Sequence, residues 1–321
     1  MAETLHILQT AQRWLETGQV VYLFHVAQTW GSSPRPPGSL MAVNDSGQHI
    51  GSVSGGCVEA DLFKRIDNNE FRHQQITLIE YSNTTHRHIT LPCRGQMLIL
   101  LETIDNVKPL QTIIDAIETR NSVVRQISLD PIQVTYSQTP LPCANFDGHT
   151  LSEPYGPTWR VLLIGANDLA MHVARQCLLL NYEVIISEPR EEYRQNWQLS
   201  DCELTPLMPD EAVEKYVNDE HSAVLALTHD PRLDDLAIVQ ALYSPAFYIG
   251  ALGSKRSAER RKITLATMDI DPEQIQRLDA PIGLNIGSRS PAEISVAIAA
   301  RLIQVRNTSV ASIQSLAGQL V

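Results

Sequence analysis

Residues 160–170 read Arg160-Val-Leu-Leu-Ile-Gly-Ala-Asn-Asp-Leu-Ala170, and they decide the fold. Arg160–Ile164 is a short apolar run of the kind a buried parallel strand makes. Gly165 interrupts it, and helical periodicity runs from Asp168 to Leu180. Strand, glycine turn and helix in that order open a dinucleotide-type βαβ unit. Working outward, Glu183–Ser187, Ala223–Leu227 and Ala246–Ile249 read as further strands, with helices fitting at about 209–218 and 232–243. Alternation of this kind implies right-handed crossovers and a parallel sheet. The C-terminal half is therefore expected to be doubly wound.

Within that unit, Gly165, Asn167 and Glu188 are candidate cofactor contacts. Glu188 ends the second strand, near the spacing expected of a ribose-binding acid. Asn167 stands where the fingerprint has its second glycine, the one that lets the backbone approach a pyrophosphate. One functional reading is an NAD(P)-dependent oxidoreductase using this domain. The other is a glycine needed only for a tight turn.

The N-terminal half is less regular. Residues 3–17 have helical periodicity, and Val20–Gln28, Leu40–Val43, Gln75–Tyr81 and Gln96–Glu102 look like strands. Helices are expected from Val58 to about Asn68 and over Val107–Thr119. The mixture is α+β. Pro131, Pro140, Pro142, Pro154 and Pro157 punctuate a polar stretch that reads partly as strands and partly as a linker. The boundary is expected near residue 155, giving domains 1–155 and 156–321.

Composition narrows the function. The chain has 321 residues, enough for two domains that need no covalent staples. Its net charge of −11 disfavours nucleic acid and anionic membranes as main partners. No run of eighteen apolar residues suggests a membrane span, and Met1–Thr10 lacks the basic start of a secretory signal, so the cytoplasm is the expected address. Five cysteines stand at 57, 93, 143, 177 and 202 with no Cys-x-x-Cys pair, which argues for reduced thiols and against structural zinc. There is no Walker loop, no Gly-x-Ser-x-Gly elbow and no His-Glu-x-x-His.

Five stretches carry chemistry. Ser52-Val-Ser-Gly-Gly-Cys-Val-Glu59 places Cys57 at a helix start behind Gly55 and Gly56. The positive end of a helix lowers a thiol's pKa and suits a nucleophile or a soft-metal ligand. A buried structural cysteine after a tight turn is the other reading. Gly31-Ser-Ser-Pro-Arg-Pro-Pro-Gly-Ser-Leu-Met41 is a stiff loop holding Arg35, suited to a phosphate or carboxylate. Leu91-Pro-Cys-Arg-Gly95 carries Cys93, which either lies near Cys57, so that two soft thiols hold a metal or pass sulfur, or is an isolated loop cysteine. Gly253 and Ser254 open a basic helix on which Arg256 and Arg260 share a face. Gly287 and Arg289 stand before a helix with Ser290 as N-cap and Glu293 completing a capping box. His25 and His229 read as packing or hydrogen-bonding residues at strand ends.

Taken in order, Gly31–Met41, Ser52–Glu59, Gly250–Arg261 and Pro281–Ile294 resemble the XdhC/CoxI family, and the resemblance spans almost the whole chain. It implies an α/β protein: an N-terminal α+β XdhC/CoxI domain followed by a doubly wound parallel-sheet Rossmann domain. It also implies a maturation factor or chaperone rather than a turnover enzyme, serving xanthine dehydrogenase or aldehyde oxidase. Such a factor binds molybdenum cofactor, as molybdopterin or its cytosine dinucleotide form. It supports sulfuration of that cofactor with a cysteine desulfurase and delivers it to an apo molybdenum hydroxylase. Cys57 matches the family's motif cysteine, a candidate contact to molybdenum or its sulfido ligand. Arg94 follows Cys93 where the family often has glycine, and Gly165-Ala-Asn167 departs from the family's Gly-Ala-Gly. A homodimer is the base-rate expectation for assembly.

Overall fold

The computed structural model describes residues 2–31, 35–82 and 95–317. The chain divides into two compact units, with the division between Pro157 and Thr158.

The first unit begins with α1 (Ala2–Glu16), β1 (Val21–Trp30), β2 (Leu40–Asn44), β3 (His49–Gly51), α2 (Cys57–Asp67), β4 (Ile76–Tyr81), β5 (Gln96–Ile104) and α3 (Lys108–Glu118). Its strands form an antiparallel sheet in the order β3-β2-β1-β5-β4. Central β1 is buried on both faces, which is why its apolar run is nearly unbroken. Tyr22, Phe24 and Val26 pack with Val58, Leu62 and Ile66 of α2. Val21 and Leu23 alternate to the other face, against Ile7, Leu8 and Ala11 of α1 and Leu110, Ile113 and Ile114 of α3.

The proline-punctuated segment is more ordered than its composition suggests. It follows β6 (Val123–Leu129) and supplies β7 (Ile132–Ser137), β8 (Asn145–Phe146) and β9 (Thr150–Tyr155). These four form a second antiparallel sheet, β7-β6-β9-β8. Pro131 lies between β6 and β7, and Pro140 and Pro142 lie between β7 and β8. Pro154 is within β9 but past the last residue paired with β8, a place where a missing N–H is tolerated. The linker expected here shrinks to the few residues after Tyr155.

The second unit runs β10 (Arg160–Ile164), α4 (Asp168–Leu179), β11 (Glu183–Ser187), α5 (Glu191–Arg194), β12 (Glu203–Thr205), α6 (Pro209–Tyr216), β13 (Ser222–Ala226), α7 (Pro231–Leu242), β14 (Tyr248–Ala251), α8 (Lys255–Thr267), α9 (Pro272–Gln276), β15 (Leu278–Asp279) and α10 (Pro291–Ala317). The sheet is parallel, ordered β12-β11-β10-β13-β14-β15. Leu162, Ile164, Val224 and Ala226 face α6 and α7, while Val161, Leu163, Ala223 and Leu225 face α4 and α10. The expected doubly wound architecture is thus present. Its topological switch point lies between β10 and β13, where ligands of such sheets bind. Among the described residues, no helix is long and apolar enough to cross a membrane.

Candidate functional site

The Ser52–Gly56 loop is built around one carboxylate. Glu59 accepts from the Ser52 hydroxyl (2.7 Å), the Ser54 hydroxyl, and the amides of Val53 (3.0 Å), Ser54 (2.8 Å), Gly55 (3.0 Å) and Gly56 (2.8 Å). Burial alone would raise its pKa, but the hydrogen bonds from Ser54 and Ser52 outweigh that and hold it well below the usual carboxylate range. Gly55 and Gly56 take φ of +84° and +142°, which L side chains rarely adopt. A Cβ at either would meet nothing within 4 Å. These glycines are required by the turn, and the space beside them is open.

Cys57 is the first residue of α2, directly after this turn. The helix end that the sequence offers as an electrostatic activator already holds a full negative charge in Glu59. That charge offsets the macrodipole.

The described ends of β1, β4 and β5 lie together at one end of the first unit. β1 ends at Trp30 opposite Gln96, where β5 begins, and β4 ends at Tyr81 opposite Met97. Val53, Val58, Tyr81 and Met97 share one core. The Tyr81 hydroxyl donates to Asp61 of α2 at 2.7 Å. Trp30, Tyr81 and Gln96 thus lie at one edge of the sheet, joined to α2 through Asp61. Cys93 lies outside the described residues. Arg35 is half-buried in the Gly31 loop, 3.8 Å from Glu3.

In the second unit the fingerprint residues are engaged with the chain itself. Asn167 is the N-cap of α4, accepting from Ala170 N at 2.9 Å and donating to Leu227 O at 2.6 Å. Glu188 is 0% exposed. One of its oxygens accepts from Ala166 N (3.0 Å) and Arg190 Nη2 (2.8 Å), the other from Arg190 N (3.1 Å) and Nε (2.8 Å). Burial pushes its pKa up, and these bonds more than reverse the effect.

The start of α8 is different. Ser254 caps it through Ser257 N, and its first turn contains no acid. Arg256 and Arg260 are exposed and make no side-chain ion pair among the described residues. Arg261 turns inward instead, to Asp235 (2.8 Å) and buried Asp234 (3.4 Å) of α7. At α10 the capping box is present: Glu293 N donates to Ser290 Oγ, and the Glu293 carboxylate accepts from Ser290 N and Arg289 N. Gly287 and the Arg289 side chain are exposed.

Two family models match this chain: the XdhC and CoxI family over residues 14–79, and the XdhC Rossmann domain over residues 161–302. The chain belongs to the XdhC and CoxI family. It is 26% identical over 305 residues to the molybdenum cofactor insertion chaperone PaoD of Escherichia coli K12, covering 94% of this chain and 88% of that one. It is also 26% identical to a Bacillus subtilis 168 protein named as a probable xanthine dehydrogenase subunit, covering 91% of this chain and 95% of that one. A crystal structure described as a xanthine dehydrogenase from Bacillus halodurans superposes with a TM-score of 0.76 at 22% identity, over 96% of each chain. That likeness is one of fold.

In this XdhC/CoxI-family chain the first unit places Gly55, Gly56 and Cys57 in the turn that opens α2. In the second unit, Gly253, Ser254, Arg256 and Arg260 cluster at α8, and Gly287 and Arg289 precede α10. Glu188 and Asn167 point into the chain's own hydrogen bonds rather than outward. Sequence reasoning missed Glu59 as the organiser of the loop, although an acid at the third position of a helix is a capping signal. It also picked Arg256 and Arg260 and passed over Arg261, which anchors the helix that displays them. His25 lies inside β1 rather than at its end and is fully buried.

Proposed function

We propose that this protein carries molybdenum cofactor as cargo to a molybdenum hydroxylase, as a chaperone and not as a turnover enzyme. The observation that carries the reading is Cys57 at the first position of α2, behind two glycines with open space beside them. A soft thiol there suits an oxo-molybdenum centre held by a dithiolene. Arg35 is the contact in the same unit for the anionic end of a phosphate ester. Arg256, Arg260 and Arg289 are separate anion contacts of the second unit. The name of the PaoD relative, at matching length, supports the same reading.

In finer terms, the cargo is molybdopterin or its cytosine dinucleotide form. A cysteine desulfurase provides the terminal sulfido ligand while the cargo is held, and the recipient is an apo-enzyme of the xanthine dehydrogenase or aldehyde oxidase type. The acidic body suits transient docking on partners in the cytoplasm.

The test is retention of purified molybdenum cofactor by the full chain in ultrafiltration, with Cys57→Ala alongside. The expected result is retention by the wild type and about tenfold weaker retention by the variant, the usual range for losing a metal-site group. Equal and negligible retention by both would overturn the reading.

A further inference from the structure

Parallel sheets wound in this order take dinucleotides across the switch point, with the pyrophosphate on the amino end of the first helix and a ribose hydroxyl on the acid ending the second strand. The residues of this chain do not fit that group. We infer that the switch-point crevice of the second unit is closed by the chain's own side chains, and that no nicotinamide or flavin dinucleotide binds across it.

Three observations carry this. First, the loops after β10 and β13 are tied together. Leu227 N donates to Ile164 O at 3.2 Å, and the Asn167 side chain spans the same gap to Leu227 O at 2.6 Å. A Cβ on Gly165 (φ +98°) would lie 2.7 Å from Thr228 Cγ2, so these loops are in contact where a crevice needs room.

Second, two amides of the turn and helix start are taken. Ala170 N donates to Asn167 and Ala166 N donates to Glu188. Asp168, 75% exposed, adds a carboxylate at the same helix end. That charge stabilises the helix and repels a second anion.

Third, the acid that ends β11 has no free oxygen. Glu188 is buried under Arg190, whose guanidinium chelates it and stacks on Tyr193 at 3.9 Å. A ribose hydroxyl reaches Glu188 only if Arg190 leaves. Its departure would leave the fully buried Glu188 carboxylate without its cation, so that exchange is unfavourable. This inference rests on the second unit alone and is independent of Cys57.

The test is amide hydrogen exchange of the full chain with and without NADH, NADPH or FAD, each at about 1 mM. A working site with a dissociation constant in the usual range of about 1 μM to 1 mM would slow exchange there by about twofold to a thousandfold. The expected result is a change below about twofold at residues 165–170 and 188–190 with every dinucleotide. Slowing beyond that at these residues with any of them would overturn the inference.

Discussion

His25 Nδ1 lies 2.9 Å from Glu153 Oε2, inside the first unit, between its two sheets. His25 is on β1 and Glu153 on β9. Glu102 of β5 stands 3.6 Å from the other ring nitrogen and accepts from Arg125 of β6 at 2.5 Å. Tyr155 donates to Glu153 at 2.8 Å. Two cations and two anions balance in a space water does not reach. The network ties one sheet to the other and selects one register, because a slipped strand would leave a buried charge unpaired.

That network sets the pH dependence of the first unit. Burial lowers the pKa of His25, but Glu153 and Glu102 reverse this and raise it to about 9, from 6.5 unfolded. A raised folded pKa gives stabilisation that is complete below about pH 6.5 and is lost as the pH rises through 9. The two carboxylates act oppositely. Their burial is outweighed by Arg125 and His25 at Glu102, and by His25 and Tyr155 at Glu153, and both pKa values fall below 4.5. Their contribution is present above about pH 4.5 and is lost as the pH falls. Urea unfolding should weaken by up to about 3 kcal/mol between pH 6.5 and 9. His25→Gln should flatten that alkaline limb. An equally steep limb in the variant would show that other groups control it.

Glu59 should be among the most sensitive positions in the first unit. Glu59→Ala leaves the amides of Val53, Ser54 and Gly56 without acceptors and should cost about 2–4 kcal/mol. Glu59→Gln keeps the shape but lacks the charge, and should cost about half as much. Denaturant melts of both variants decide this. Loss of cargo retention in Glu59→Gln with little loss of fold would separate the placing of Cys57 from overall stability.

Gly165→Ala combines a strained φ with a contact against Thr228. It should cost about 2–4 kcal/mol, part from the positive φ and part from crowding. Thr228→Ser removes the Cγ2 methyl and should recover the crowding part only. A thermal melt of the double variant that matched wild type would refute the φ contribution.

Arg261→Ala leaves Asp234 buried without its cation. Burial already raises the pKa of Asp234. The loss should be about 3 kcal/mol, and Asp234→Asn in the same chain should restore part of it. Simple additivity of the two substitutions in denaturant melts would show that the pair does not interact.

Several of these features were legible before any coordinates. β1 and β10 announce themselves because strands buried on both faces read as unbroken apolar runs. The glycine turn at Gly165 and the N-cap at Ser290 are local chemistry, and local chemistry is written in order. By contrast, β3, β8, β12 and β15 have too few residues for a period to register. His25 looks solitary in sequence because its partners arrive from β5, β6 and β9, which only the pairing of the sheets brings near. The acid at Glu188 was found at its expected place, but its concealment depends on a guanidinium folding back over two residues. Glu59 stands in plain view three residues into its helix segment, but a string of letters does not say how many loop amides will fold onto one carboxylate.

The second sheet has a practical consequence for taking the protein apart. A protease nick or an early stop ahead of Thr150 would remove Glu153 and Tyr155 while His25 and Arg125 stayed behind. Such a fragment would bury His25 without its nearest carboxylate and leave β6 without its partner β9, and should not hold its fold. The shortest self-sufficient N-terminal piece therefore ends no earlier than Tyr155, although much of the stretch leading there looks dispensable on paper.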